Sequence, residues 1–310
     1  MKPSSLGDIV HTLPAVRLLK RRWPEAHLSW IVNPEWAPLL DGNRHVDEVV
    51  IFPRRDFRGV RGVLRIAPWA RALRERMNAD LVLDFQGLLR SALISKLCCG
   101  KEGRIAGLSD AREGARHFYD ECVDVSHCTH AVDRYLALAH AVSTEMPPPL
   151  SWRLPAGTEP AGFSTAERFV VLHPFSRGKG KSLSVGEVSA FCRGVSPIRV
   201  ILAGRTDERV PPLANVTDLL NRTTLPELIW LLRRAAFVVS VDSGPLHIAA
   251  AITPLLVSIH TWSDPTKVGP YHPDAWIWKD GALFQIKAPA ARLAALDIAA
   301  LSAFVLGKFG

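Results

Sequence analysis

Apolar positions along this chain follow two alternating spacings. From Leu13 to Trp23 they recur three and four apart, the spacing of one helix face, and the run stops before Pro24. His27 to Val32 and Glu48 to Phe52 read as short strands. Ala67 to Met77 has helical spacing again, followed by a buried-strand run from Ala79 to Phe85 that ends at Gln86-Gly87. Ala131 to Val142 is a further predicted helix. Pro147-Pro148-Pro149, with Pro155 and Pro160 close behind, cannot continue a helix and marks an interdomain linker. Beyond it the alternation restarts. Strands are predicted at Arg168 to His173, Ile198 to Ala203, Phe237 to Val241 and Leu255 to Ile259. Helices are predicted at Ser184 to Arg193, Leu225 to Ala235, Pro245 to Ala251 and, Ala-rich, Ala288 to Leu306. Strands alternating with helices predict parallel α/β layers. The chain is therefore expected to be α/β with two domains, 1–150 and 151–310, and a ligand cleft between them.

Composition changes this picture little. The 310 residues are 48% hydrophobic and 22% charged, ordinary for a soluble globular chain. Disordered tracts and repeats are absent from the sequence. No segment reaches the roughly 18 uninterrupted apolar residues of a membrane span; Pro245 to Trp262 comes closest and is broken by His247, Pro254 and His260. Met1-Lys2-Pro3-Ser4-Ser5 lacks an apolar core, so no signal peptide is expected. Cys98, Cys99, Cys122, Cys128 and Cys192 are odd in number and form no CxxC pair, which reads as reduced thiols with no zinc site. The formal charge of +8 narrows the partners to anions: phosphorylated substrates, acidic lipid or nucleic acid. Basic clusters such as Lys20-Arg21-Arg22 and Arg54, Arg55, Arg58 and Arg61 are not interleaved with aromatics, so no nucleic-acid platform is expected.

Three segments carry candidate chemistry. In Phe237 to Ala251 a buried strand enters the turn Asp242-Ser243-Gly244-Pro245-Leu246-His247. Pro245 suits the first helical position, the helix start offers free N–H groups to an anion, and Gly244 lets a diphosphate approach the backbone. An ordinary capped turn with His247 in the core fits the same residues. In Ser4 to Pro14 a small-residue loop brings Asp8 to a helix start, where the dipole keeps it ionised and able to accept a proton; a plain N-cap fits equally. In His173 to Ser184 a strand ends in a loop bearing Ser176, Arg177, Lys179 and Lys181, suited to gripping phosphates, or else a solvated basic loop. It is not a Walker A loop, and no GxGxxG occurs anywhere. Arg112-Glu113 could meet an acidic acceptor and Glu208 a ribose; a surface ion pair and an exposed acid are the plainer readings.

In order, Ser5-Leu6-Gly7-Asp8 to Pro14, Asp84-Phe85-Gln86-Gly87-Leu88-Leu89-Arg90-Ser91, Ala111-Arg112-Glu113 with Phe118-Tyr119, Lys181-Ser182-Leu183-Ser184, and Val241 to His247 with Ser263-Asp264-Pro265 resemble glycosyltransferase family 9, the heptosyltransferases of lipopolysaccharide core assembly. The resemblance runs along nearly the whole chain. Gln86-Gly87 and Arg112-Glu113 look most like the branch that adds the first heptose to Kdo on lipid A. The resemblance implies a GT-B fold, two Rossmann-like domains facing across a cleft, the acceptor held by the first and the nucleotide sugar by the second. It implies inverting transfer from ADP-heptose to Kdo-lipid A with no metal and no cofactor. Asp8 then matches the general base and Lys181 the lysine that neutralises the leaving diphosphate. Ser176, Arg177, Lys179, Glu208, Asp242, Ser243, Gly244 and His247 fall on the donor side. Ser5, Gly7, His11, Gln86 and Arg112 fall on the acceptor side.

One departure stands out. The family carries an apolar first strand before its Ser-Ser-Leu-Gly-Asp loop, whereas here Met1-Lys2-Pro3 occupies that place. The first strand is expected to be truncated and the sheet beside Asp8 to lose central support. With a lipid acceptor and a basic chain, a cytoplasmic protein peripheral to the inner membrane and its anionic surface is expected. Transfer to a later core position or another acceptor, and a non-catalytic basic binding protein, are the competing readings.

Overall fold

A computed structural model describes residues 1–57, 59–146, 149–163, 167–178, 180–286, 291–292 and 297–309. The chain divides into two compact units, Met1–Leu154 and Pro155–Gly310. Pro147 and Pro148 of the expected linker lie outside the described residues. The segment after them belongs to the first unit, because Arg17 Nη1 donates to Pro149 O at 2.8 Å and Asn43 Nδ2 to Arg153 O at 3.0 Å.

The first unit opens with helix α1 (Leu6–Arg22), which starts well ahead of the predicted Leu13. Its first turns, Leu6 to Pro14, are buried on nearly every face. No polar stripe there reveals the helical period. Parallel strands β1 (Ser29–Val32) and β2 (Glu48–Ile51) follow, then helix α2 (Gly59–Arg76). Next come β3 (Ala79–Asp84), helix α3 (Leu89–Cys98), β4 (Cys99–Leu108), β5 (Glu121–Val123) and helix α4 (Ala131–Ser143). β3, β4 and β5 form a parallel sheet separate from the β1–β2 pair. Neither α3 nor β4 was predicted: α3 lacks a polar face of regular period, and β4 opens on Cys-Gly-Lys-Glu-Gly, a poor strand former.

Met1 to Pro3 lies between β1 and β3. The Met1 amine donates to Leu83 O and its carbonyl accepts from Phe85 N at 3.1 Å, while Asn33 N donates to Pro3 O and Trp30 Nε1 to Lys2 O. Beyond that bridge a cavity of about 800 Å³ opens, lined by Trp30 and Ile31 of β1, Leu81 and Val82 of β3, and Val16 and Leu19 of α1. The facing edges of β1 and β3 flank this gap.

The second unit contains β6 (Phe169–His173), helix α5 (Val185–Gly194), β7 (Arg199–Leu202), β8 (Val216–Asp218), helix α6 (Leu225–Arg234) and β9 (Phe237–Val241). It continues through helix α7 (Gly244–Ile252), β10 (Leu256–His260), the short helix α8 (Pro265–Val268), β11 (Trp276–Lys279), β12 (Ala282–Gln285), β13 (Ala291–Arg292) and helix α9 (Ile298–Phe309). β6, β9 and β10 are buried throughout, as parallel strands covered on both faces must be. Ser184 with Glu187 and Thr224 with Glu227 close capping boxes at α5 and α6. The predicted Ala288 to Leu306 helix is corrected: it begins at Ile298, and Ala291–Arg292 instead pairs antiparallel with β12. Residues 287–290 and 293–296 are outside the described set.

The sheet runs β13-β12-β11-β10-β9-β6-β7-β8. From β8 to β11 all neighbours are parallel, which is the Rossmann order 3-2-1-4-5-6. Its switch point lies between β6 and β9.

The gap in the first unit generates the first prediction. An apolar, strand-forming extension of about five residues joined ahead of Met1 will be taken up between β1 and β3. Thermal unfolding should then shift upward by about 5 °C or more; an extended chain that melts no higher would show that the gap does not accept a strand.

Candidate active site

In a sheet of this order ligands bind outside the carboxyl ends of the strands at the switch point. The loops leaving β6 and β9 there are Pro174 to Ser184 and the Asp242 to His247 turn. Lys181 Nζ donates to Asp242 Oδ2 at 2.5 Å, tying the two loops together across the switch. Asp242 is buried and its amide is fixed to Ile259 O at 3.0 Å. Ser243 caps α7 in extended conformation, with Gly244 as the first helical residue and Pro245 beside it. The Ser243 hydroxyl donates to Val241 O at 3.1 Å and lies 3.2 Å from His173 Nδ1 at the end of β6. Gly204, after β7, is held at φ +130° over the same imidazole; a Cβ there would stand 2.9 Å from His173 Nε2. The basic loop is braced within itself: Ser176 N donates to Ser182 Oγ at 2.9 Å and Leu183 N to Pro174 O at 2.9 Å.

The electrostatics separate charged from neutral groups. Burial by itself would raise the Asp242 carboxyl, but hydrogen bonds from Lys181 and Ser263 and the Lys181 charge hold it below the ordinary carboxylate value. Burial pushes the His173 and His260 imidazoles down to about 4, so both are neutral near pH 7. His260 Nδ1 is 2.9 Å from Ser263 Oγ. Lys181 Nζ also sits 4.7 Å over the ring of Trp262, a tryptophan 64% exposed. One cation, one buried carboxylate, neutral histidines and the N-terminus of α7 make a site matched to a phosphate-bearing ligand.

The first unit holds a second cluster, around Asp8. Ser5 donates to Asp8 Oδ2 twice, from its amide at 3.0 Å and its hydroxyl at 2.6 Å. Tyr135 of α4 donates to Oδ1 at 3.0 Å, and Lys2 Nζ lies 3.6 Å from the same oxygen. Burial pushes the Asp8 carboxyl up; the Lys2 charge and the Ser5 and Tyr135 hydrogen bonds outweigh it and keep Asp8 below its ordinary value. Asp84, fully buried at the end of β3, accepts from the Gln86 and Gly87 amides at 2.9 and 3.2 Å and from the Ser91 and Tyr119 hydroxyls, both at 2.7 Å. Among the described residues no group of three His, Cys, Asp or Glu side chains is placed to hold a metal ion, and no helix is long and apolar enough to cross a membrane.

The family model for glycosyltransferase family 9 (heptosyltransferase) matches residues 66–181 and 199–283, well over half of the chain. The chain belongs to glycosyltransferase family 9. It is similar to lipopolysaccharide heptosyltransferase 1 of Salmonella typhimurium, 29% identical with 87% of this chain and 90% of that protein covered. The same enzyme of Escherichia coli is 26% identical, with 87% and 89% covered. Among solved structures, Escherichia coli heptosyltransferase WaaC with ADP superposes with a TM-score of 0.78 at 24% identity, over 99% of this chain and 98% of that one. The fold is therefore GT-B, built of two Rossmann-like units, and the protein is a glycosyltransferase.

Within this family-9 chain the structure groups the sequence-predicted residues in two sets. Ser176, Lys181, Asp242, Ser243 and Gly244 lie on the two loops at the switch point, with Arg177 exposed beside them. Lys179 lies outside the described residues. His247 is buried one turn into α7. Glu208 is exposed on the loop after β7, its amide donating to Thr206 Oγ1 at 3.0 Å. In the first unit Ser5, Gly7, Asp8 and His11 occupy the start of α1, and Gln86 Oε1 accepts from Ser4 N at 3.4 Å. The exposed Arg112 is fixed through its amide to Gly87 O at 2.8 Å, while Glu113 accepts from Leu89 N at the start of α3. Sequence reasoning missed Lys2, Tyr135, Asp84, Trp262 and His260 as site neighbours. Only Asp84 had a local signal, an acid closing a buried strand just before Gln-Gly.

The Lys181–Asp242 pair carries a testable consequence. Lys181→Met leaves a buried carboxylate uncompensated and should lower the stability of the chain by about 2–3 kcal/mol at pH 7. Because the Asp242 carboxyl is held low in the folded chain, the stability it contributes is present above the ordinary Asp range and is lost as pH falls through its lowered value. Urea unfolding should show wild type and variant converging as pH falls below the ordinary Asp range; a difference that stays constant through that fall would contradict the pairing.

Proposed function

We propose that this family-9 enzyme transfers L-glycero-D-manno-heptose from ADP-heptose to the Kdo-lipid A inner core of lipopolysaccharide, with inversion and without a metal. The observation that carries the reading is the cation–carboxylate bridge of Lys181 and Asp242 at the switch point, beside the N-terminus of α7. It is supported by the names of the similar enzymes, heptosyltransferases of lipopolysaccharide.

In this reading the second unit binds the donor. The diphosphate meets the α7 N-terminus, Lys181, Ser176, Arg177 and Lys179; Glu208 hydrogen-bonds the ribose; Asp242, Ser243, Gly244 and His247 shape the turn. The first unit presents the acceptor to Asp8 with Ser5, Gly7, His11, Gln86 and Arg112. The acceptor hydroxyl gives its proton to Asp8 as its oxygen bonds to C1 of heptose. The C1–phosphate bond breaks on the opposite face, its electron pair leaving with ADP. Lys181 turns from Asp242 to the departing diphosphate, stabilising charge where it develops. The enzyme works at the cytoplasmic face of the inner membrane, its basic surface drawn to anionic lipid.

ADP release from ADP-heptose in the presence of Kdo-lipid A tests this directly. Wild type should turn over, and Asp8→Asn should lose about 10²–10⁴ in kcat with donor binding kept. Release only with a core acceptor that already carries heptose would move the activity to a later position. No ADP binding in calorimetry would favour a binding protein.

A further inference from the structure

Lys2 is 3% exposed, a burial that a lysine rarely meets without a partner. Its ammonium donates to Tyr135 OH at 2.8 Å and to Phe85 O at 2.9 Å, and lies 3.6 Å from Asp8 Oδ1. It also sits 4.8 Å over the Tyr135 ring. Burying an ammonium is costly unless it is paired and hydrogen-bonded, and an apolar side chain would fill this volume more cheaply. The hydrogen bonds satisfy the amine but do not explain why an amine is there. Asp8, its ion-pair partner among the described residues, does.

We propose that Lys2 and Tyr135 are positioning residues for the transfer reaction, fixing the carboxylate of Asp8 in one orientation and in its ionised form. The proposal rests on the reading of Asp8 as general base. Ser5 engages Oδ2 and Tyr135 engages Oδ1, so the carboxylate cannot rotate, yet 36% of its side-chain surface stays open to an incoming hydroxyl. When the acceptor O–H bond breaks, its proton moves to Asp8, while the acceptor oxygen bonds to C1 and ADP leaves with the electron pair. The Lys2 cation beside a now neutral Asp8 disfavours that state, so the proton passes on to solvent and the base is reset. The same cation makes Asp8 a weaker base.

Other charged or titratable groups near this cluster are His11 on α1, His130 at the N-cap of α4, Arg134 on α4, Asp84 at the end of β3, and Asp110. The His11 and His130 rings are 5.2 Å apart. Asp84 and Arg134 act on Lys2 in opposite senses, and both Arg134 and Asp110 act on Tyr135. On Asp8 the leading opposition is burial, which raises its pKa, against Lys2, which lowers it. Removing the Lys2 charge leaves the burial effect in place. The Asp8 pKa then climbs, and activity, which needs the carboxylate, is lost at a higher pH as the solution is acidified.

The test measures kcat and donor KM for the full chain by ADP release from ADP-heptose with Kdo-lipid A, from about pH 3, below the ordinary Asp range, to about pH 8.5. The variants are Lys2→Met, Lys2→Arg, Tyr135→Phe and Asp8→Asn. Lys2→Met and Tyr135→Phe should lose about tenfold or more in kcat with donor KM nearly unchanged. The acid limb of the kcat profile should move up by about one pH unit in Lys2→Met and by less in Tyr135→Phe, with Lys2→Arg close to wild type. If Lys2→Met fails to fold, Tyr135→Phe, which loses one hydroxyl, decides. An acid limb unmoved in the folded variants, with Asp8→Asn inactive, overturns the positioning role. An active Asp8→Asn overturns the base reading itself.

Discussion

The adjacency of β6 and β9 is the constraint on which the second unit's candidate site depends. Two parallel strands whose crossovers leave in opposite directions open a crevice at their carboxyl ends. Most of the proposed donor side is hung from it: the basic loop from β6, the Asp-Ser-Gly turn from β9, and the His173 imidazole under both Ser243 and Gly204. The Lys181–Asp242 bridge closes the crevice electrostatically. A buried aspartate needs a cation, and a cation held 2.5 Å away is already in place for a phosphate. In the proposed reading a more negative diphosphate oxygen competes with a single carboxylate for the same ammonium, so the bridge would yield to the donor.

Much of this half was legible in the sequence. Phe-Val-Val-Ser-Val running into Asp-Ser-Gly-Pro is an apolar strand with a single serine, followed by residues of narrow backbone preference, and β9 matched its prediction residue for residue. Local chemistry of that kind survives without tertiary information. The pairing of Lys181 with Asp242 was not legible, because it joins residues 61 positions apart through strand order alone. Neither was the exposed Trp262, which in sequence reads like any core tryptophan.

The first unit was harder to read, and for a physical reason. Its helix α1 begins in a segment buried all round, so apolar periodicity, the signal most sequence arguments use, is erased where Asp8 sits. The Gln-Gly stretch of the acceptor side turned out to be organised from below by Asp84, whose two oxygens accept four hydrogen bonds and so fix the backbone of Gln86 and Gly87. Arg112 is placed by the same device at one remove, through its amide on Gly87 O. An acid at a strand end announces none of this.

Asp8 and Asp242 illustrate how one environment rule serves two roles. Both carboxyls are raised by burial and lowered further by a lysine and hydroxyl hydrogen bonds, and both stay ionised. They differ in access. Asp242 is 7% exposed beside a lysine that is 21% exposed, whereas Asp8 keeps 36% of its side chain open beside a lysine that is only 4% exposed. In the proposed reading the first arrangement presents a cation to its ligand, the second an anion. A carboxylate so stabilised is a weak base, which suits the proposed transfer if departure of ADP leads. An alcohol becomes strongly acidic only once its oxygen has begun to bond to an electron-poor C1, and at that point a weak, fixed and always ionised base is sufficient.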